Sequence, residues 1–262
     1  MPEGIVGSDY TYGMMTAIRE SVCRVPEINL IDNDQLLVDG IEYSSIKSAI
    51  QNSGLRYDSL LENSVALNHI LQLGVDKLAN IRKFHPTAGG LIVAKSVEHA
   101  FFIYQILRNE LKQSAVVVNY RNTNSHIAIE EYKHSDVQWI VSVSMVSEGT
   151  DIPRLRVCVH LSNVRTELFF RQVLGRVLRL IPNVKNNVGW LYAFSEPDIV
   201  EFSNRVQDDI PQCEHLVVRK SDVSPKNRTM TSMRFPLKLG YWRSHYEKTS
   251  QRRTDYQGYQ GA

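Results

Sequence analysis

Gly90-Leu91-Ile92-Val93-Ala94-Lys95-Ser96-Val97-Glu98-His99-Ala100 is the stretch that decides the fold class. Residues 91–94 are an apolar run too short for a helix, and from Val97 the apolar positions of residues 97–111 recur at helical spacing. The same unit repeats toward the C-terminus. Strand patterns at 115–119, 139–143, 155–161 and 189–194 alternate with helical patterns at 125–133, 166–180 and 197–206. Strands with no polar alternation are buried on both faces. The pattern therefore predicts an α/β fold, a parallel sheet with helices on both faces.

Toward the N-terminus, Leu60, Leu61, Val65, Leu67, Ile70, Leu71, Val75, Leu78 and Ile81 predict helix over 57–84, with a break at Gly74. Pro86 and Gly89-Gly90 are expected to stop it. Short strands are expected at 27–31 and 35–38, joined by the turn residues Asp32-Asn33-Asp34. The expected organisation is a lead-in with helices over 1–85, a core over 86–212, and a basic, largely disordered tail over 213–262.

Composition narrows the function classes. The chain has 262 residues, 43% hydrophobic and 22% charged, as globular domains with a sizeable core do. No apolar run approaches the roughly 18 residues of a membrane span, and no signal peptide is visible. The three cysteines, Cys23, Cys158 and Cys213, form no CxxC pair, which excludes a disulfide scaffold and fits a cytoplasmic protein. The histidines show no HExxH spacing, so no metal site is expected. The net charge of +2 is uneven, because residues 224–262 carry eight Lys/Arg against two Asp/Glu. Such a tail suits a polyanion, and it also suits a merely solubilising end.

Two segments carry chemistry. Ser144-Met145-Val146-Ser147-Glu148-Gly149-Thr150-Asp151-Ile152-Pro153 follows the strand at 139–143, where α/β sheets bind ligands. Gly149 admits close backbone approach and Asp151 can accept from a ribose hydroxyl; a Gly-Thr-Asp turn also simply joins strands. Gln172-Val173-Leu174-Gly175-Arg176-Val177-Leu178-Arg179 lies on the next predicted helix, placing Gln172, Arg176 and Arg179 on one face beside the bulk-free Gly175. Two guanidinium forks suit a multiply charged oxyanion, and they equally suit a solvated basic stripe.

In this order the segments resemble motifs V and VI of superfamily 2 DEAD/DEAH-type helicases, the sixth reading QxxGRxxR, and residues 90–100 resemble motif IV. Glu130-Glu131-Tyr132-Lys133 sits as the family's helix before motif V does, and residues 9–27 are similar to the start of the same domain. The resemblance implies a C-terminal RecA-like domain, a P-loop NTPase fold that itself lacks the P-loop. It implies that Arg176 and Arg179 reach the γ-phosphate of ATP on another RecA-like domain, with Gln172 beside it. Glu148, Gly149, Asp151 and Gly175 would face the nucleotide, while Lys95, Ser96 and, as a weaker match, Ser144 would touch the nucleic-acid backbone.

A helicase motor needs two such domains. No GxxxxGK[ST] loop and no Asp-Glu pair occurs in this chain. ATP and Mg2+ are therefore expected only through a separate N-terminal RecA-like half, and the chain alone is expected to be inactive. The Ser-Glu-Gly-Thr-Asp-Ile-Pro form of motif V looks closer to DNA-acting members than to RNA helicases. The alternative is a non-enzymatic nucleic-acid-binding or regulatory module, in which Phe235, Tyr241, Trp242, Tyr246, Tyr256 and Tyr259 stack on single-stranded bases.

Overall fold

Leu155–Leu161 (β7) is buried at every position, which only a strand sandwiched between helical layers can satisfy. In a computed structural model, which describes residues 13–33, 36–121, 124–143, 151–180, 188–210 and 219–220, β7 lies centrally in a seven-stranded sheet. The other strands are β1 (Val25–Ile31), β4 (Gly89–Ala94), β5 (Ala115–Val118), β6 (Trp139–Ser142), β8 (Val188–Phe194) and β9 (Arg219–Lys220). Their order is β5-β6-β4-β7-β8-β1-β9, with every pairing parallel. A separate hairpin joins β2 (Leu36–Val38) to β3 (Ile41–Tyr43) through Asp39 and Gly40, both at positive φ, as a tight Asp-Gly hairpin turn requires.

The helices are α1 (Met14–Arg19), α2 (Ile46–Ser53), α3 (Tyr57–Glu62), α4 (Ser64–Arg82), α5 (Val97–Gln105), α6 (Ser125–His134), α7 (Glu167–Val177) and α8 (Pro197–Asp208). Strand side chains divide by parity. Ile92, Val141, Val159 and Phe194 meet α2 to α5 on one face. Leu91, Val93, Ile140, Cys158 and Leu191 meet α6 to α8 on the other. The early strand is a full member of the sheet, paired to β8 from Val25↔Val188 to Ile31↔Phe194.

Three local expectations change. The long helix breaks at Asn63, not Gly74: the Asn63 side chain accepts from the N–H groups of Val65 and Ala66 and caps α4. Gly74 stays helical, and the place of its missing side chain is taken by Val159 and the Trp139 ring. Gly89 and Gly90 are strand residues rather than helix stops, since Tyr132 and Trp139 pack where their Cβ atoms would be. The helix over 97–111 turns into a π-helical segment at Ile106–Glu110. Within the expected tail, residues 219–220 form the edge strand β9 beside β1, and the rest of the tail with its aromatic residues lies outside the described residues.

Two histidines make the fold acid-sensitive. His160 in β7 is fully buried between the Phe169 and Phe170 rings, and burial pushes it down to about 4. His99 on α5 is pushed to about 4 by burial and by the Lys95 charge. Both are neutral in the folded chain, whereas an unfolded histidine takes up its proton near pH 6.5. The unfolded state therefore binds more protons between about pH 6.5 and 4, and stability falls as pH drops through that window. Each histidine is expected to cost on the order of 2 kcal/mol by pH 5. The urea midpoint should drop between pH 7 and pH 5, and His160→Leu should remove about half of that drop. A pH-independent midpoint over that range would contradict it.

Candidate functional site

Helix α7 begins where Thr166 accepts from the Phe169 N–H, and it buries Phe170, Val173, Leu174 and Val177. That fixes the rotation of the remaining positions. Gln172 is exposed, while Arg176 is only 8% exposed. An ideal Cβ on Gly175 would meet nothing within 4 Å, so the space beside it is open.

Arg179 is not on this helix. The helix stops at Val177, Leu178 donates its N–H to the Gly175 carbonyl, and Arg179 forms an isolated antiparallel bridge with Cys23. Its guanidinium then pairs with Asp151, Nη1 to Oδ1 at 2.8 Å. The fold thus joins residues from both chemistry-bearing segments, by a route helical spacing does not describe. Arg176 belongs to the same cluster: burial and the Arg179 charge push its guanidinium below its ordinary range, with Asp151 opposing.

Asp151 lies four residues before β7, at the amino edge of the sheet, rather than at a carboxyl end. This edge is rich in buried guanidinium. Arg24, Arg154 and Arg156 are 0, 6 and 1% exposed, and burial lowers all three below the ordinary arginine range. Arg154 bonds the carbonyls of Thr87, Tyr132 and Val137, each at 2.8 Å, and stacks 4.4 Å over the Tyr132 ring. Arg24 likewise binds carbonyls of Pro153, Leu155 and Val177. Main-chain carbonyls accept from Arg24 and Arg154 without cancelling their charge, so the edge presents a positive field to an anion.

Lys95 and Ser96 follow β4 at the opposite, carboxyl edge, about 20 Å away along that six-residue strand. The Lys95 ammonium is 11% exposed and lies 2.5 Å from Glu62 and 3.7 Å from Asp58. The Ser96 hydroxyl caps α5 by accepting from the His99 N–H. At that edge a cavity of about 250 Å³ is lined by residues including Tyr57, Asp58, Asn163 and Arg165. Ser144, Glu148 and Gly149 lie outside the described residues. Among the described residues no group of three or more His, Cys, Asp or Glu is placed to hold a metal ion, and no helix is long and apolar enough to cross a membrane.

Sequence reading missed Arg24, Arg154 and Arg156. The last two had a visible signal: Pro153-Arg154-Leu155-Arg156 puts two charges at the start of an otherwise mostly apolar strand. Arg24, ahead of an ordinary strand, had none.

Compared with known proteins, residues 74–180 match the family model of the helicase conserved C-terminal domain. The chain is 31% identical over 246 residues to the uncharacterized protein Rv2917 of Mycobacterium tuberculosis (strain ATCC 25618 / H37Rv), covering 87% of this chain and 40% of that protein. It is 33% identical over 110 residues to the uncharacterized protein ML1624 of Mycobacterium leprae (strain TN), covering 42% of this chain and 18% of the relative. The chain thus spans at most about two fifths of the length of these relatives. Among solved structures, an HsdR subunit fragment assigned to a type I restriction enzyme from Vibrio vulnificus YJ016 shares the fold. The TM-score is 0.53 at 13% identity, over 79% of this chain and 38% of that one.

Proposed function

We propose that this chain, which belongs through residues 74–180 to the helicase conserved C-terminal domain family, is the arginine-supplying half of an ATP-dependent DNA helicase or translocase of superfamily 2. The observation that carries the reading is the amino edge, where Arg176 and Arg179 converge on Asp151 within a field of buried guanidinium groups. That donor set fits a polyphosphate presented from outside.

ATP and Mg2+ are held by an N-terminal RecA-like half outside this sequence, because these 262 residues contain no phosphate-cradling Gly-Lys loop. Arg176 and Arg179 present their forks to the terminal phosphate and stabilise the charge that builds up during transfer. Asp151 holds Arg179 in place until the phosphate replaces it, and is then free to accept from the ribose. Gln172 lines the same approach, and the open space at Gly175 admits the facing half. Lys95 and Ser96 serve the nucleic-acid backbone at the other edge, with Ser144 assigned to the same role and Glu148 and Gly149 to the nucleotide from their place in the motif alone. The Ser-Glu-Gly-Thr-Asp-Ile-Pro form favours DNA over RNA as the strand.

ATP turnover with and without single-stranded DNA tests this, on the chain alone and mixed with an N-terminal RecA-like half. DNA-stimulated turnover in the mixture only, lost in Arg179→Ala, is the expected result. Turnover by the chain alone overturns the half-motor reading. Salt-sensitive DNA binding without any turnover replaces it with a non-enzymatic binding module.

A further inference from the structure

Arg24 stands 50 residues ahead of the family match at 74–180, yet its side chain enters the middle of the arginine cluster. It is fully buried. Nη1 donates to the Leu155 carbonyl at 2.5 Å and to the Val177 carbonyl at 2.9 Å, and Nη2 donates to the Pro153 carbonyl at 2.9 Å. The Arg24 N–H donates to the Leu178 carbonyl at 2.7 Å, and the neighbouring Cys23 bridges Arg179. These acceptors lie on two separate segments. Pro153 is two residues beyond Asp151, and Val177 and Leu178 fill the interval between Arg176 and Arg179.

We propose that Arg24 is the positioning residue of the site, a single planar guanidinium that sets the spacing between the Asp151 segment and the Arg176–Arg179 segment. The proposal rests on the reading of this edge as phosphate-facing.

A guanidinium is suited to the role because its fork offers donors in fixed directions to acceptors on both segments at once, whereas an ammonium is a point donor. Net stability does not explain the choice. A buried cation bonded to neutral carbonyls keeps its desolvation cost, and burial with the Arg156 charge brings Arg24 down to about 9. A second feature guards the same joint. A Cβ on Gly189 would lie 2.5 Å from the Val177 carbonyl oxygen, so β8 accepts the helix end only because residue 189 has no side chain.

The test compares Arg24→Met and Arg24→Lys with Arg179→Ala in the reconstituted mixture, below the unfolding temperature of each variant. Misplacing the reacting groups by about 1 Å is expected to lower kcat about 10²-fold while KM for ATP stays within about twofold. The double variant Arg24→Met/Arg179→Ala should lose much less than the product of the two single losses, because both substitutions act on one segment. Lysine should not rescue. A folded Arg24→Met with wild-type kcat, or effects that multiply in the double variant, overturns the proposal. If wild type shows no turnover, the parent reading has failed, and nitrogen-15 NMR of the chain alone decides this one. The Arg179 side-chain N–H signal that Asp151→Asn displaces should move likewise in Arg24→Met or Arg24→Lys. An unmoved signal overturns the positioning role.

Discussion

On the proposed half-motor reading, Arg176→Ala is expected to lower DNA-stimulated ATP turnover by about 10³-fold or more, the range over which a phosphate-facing arginine acts. The structure makes this a test of chemistry rather than of folding. The apolar face of α7 is held by Phe170, Val173, Leu174 and Val177, all at most 3% exposed, and none depends on the guanidinium. Arg176 is instead under electrostatic tension, desolvated and close to the like charge of Arg179, with Asp151 as its counterweight. An arginine kept in that state is useful once an anion arrives. Arg176→Lys keeps charge and stem but loses the planar fork, and should recover little of the rate. The comparison is made at temperatures where thermal unfolding shows each variant folded. Turnover within about tenfold of wild type in Arg176→Ala would remove it from the phosphate-facing set.

Gly90→Ala is expected to destabilise the chain by about 3 kcal/mol or more, a large share of the 5–15 kcal/mol typical of a domain. Gly90 is the cross-strand partner of Trp139, whose fully buried ring lies where an alanine methyl would go. The ring cannot retreat. On its other side it packs against Gly74 of α4, with 3.3 Å between its Cη2 and an ideal Cβ there, and Val159 is closer still at 2.9 Å. Trp139 is thus clamped between two glycines, one on a strand and one on a helix. Gly74→Ala should cost less, because its nearest obstacle is a side-chain methyl and alanine gains about 1 kcal/mol of helix propensity. Urea unfolding followed by fluorescence measures both. A Gly90→Ala chain as stable as wild type would mean that the Trp139 ring has room to move.

The strands were legible because burial on both faces leaves near-continuous apolar runs, and 155–161 and 139–142 were read almost to the residue. Element ends were less so. The helix expected over 166–180 stops at Val177 without glycine or proline to mark it. What accompanies the stop is the Arg24 N–H on the Leu178 carbonyl, a bond from a distant part of the chain. Gly74 misled for the opposite reason: a glycine that usually weakens a helix is here the flat spot that lets α4 lie against Trp139. In the site, Gln172, Arg176, Arg179 and Asp151 could be named from their order, but not the ion pair between Arg179 and Asp151.

Periodicity and residue order by themselves determined the α/β class and the layering of helices on both faces, and they marked Gln172, Arg176, Arg179 and Asp151 as candidates. Tertiary structure alone decided that Asp151 stands at the amino edge of the sheet, that Arg179 leaves its helix to reach it, and that Arg24 binds both segments from 131 and 153 positions away. The reason is physical. Hydrophobic burial writes its period into the choice of side chains, whereas the acceptors that hold Arg24 are main-chain carbonyls. Every residue carries one, and so no sequence pattern records which of them will be used.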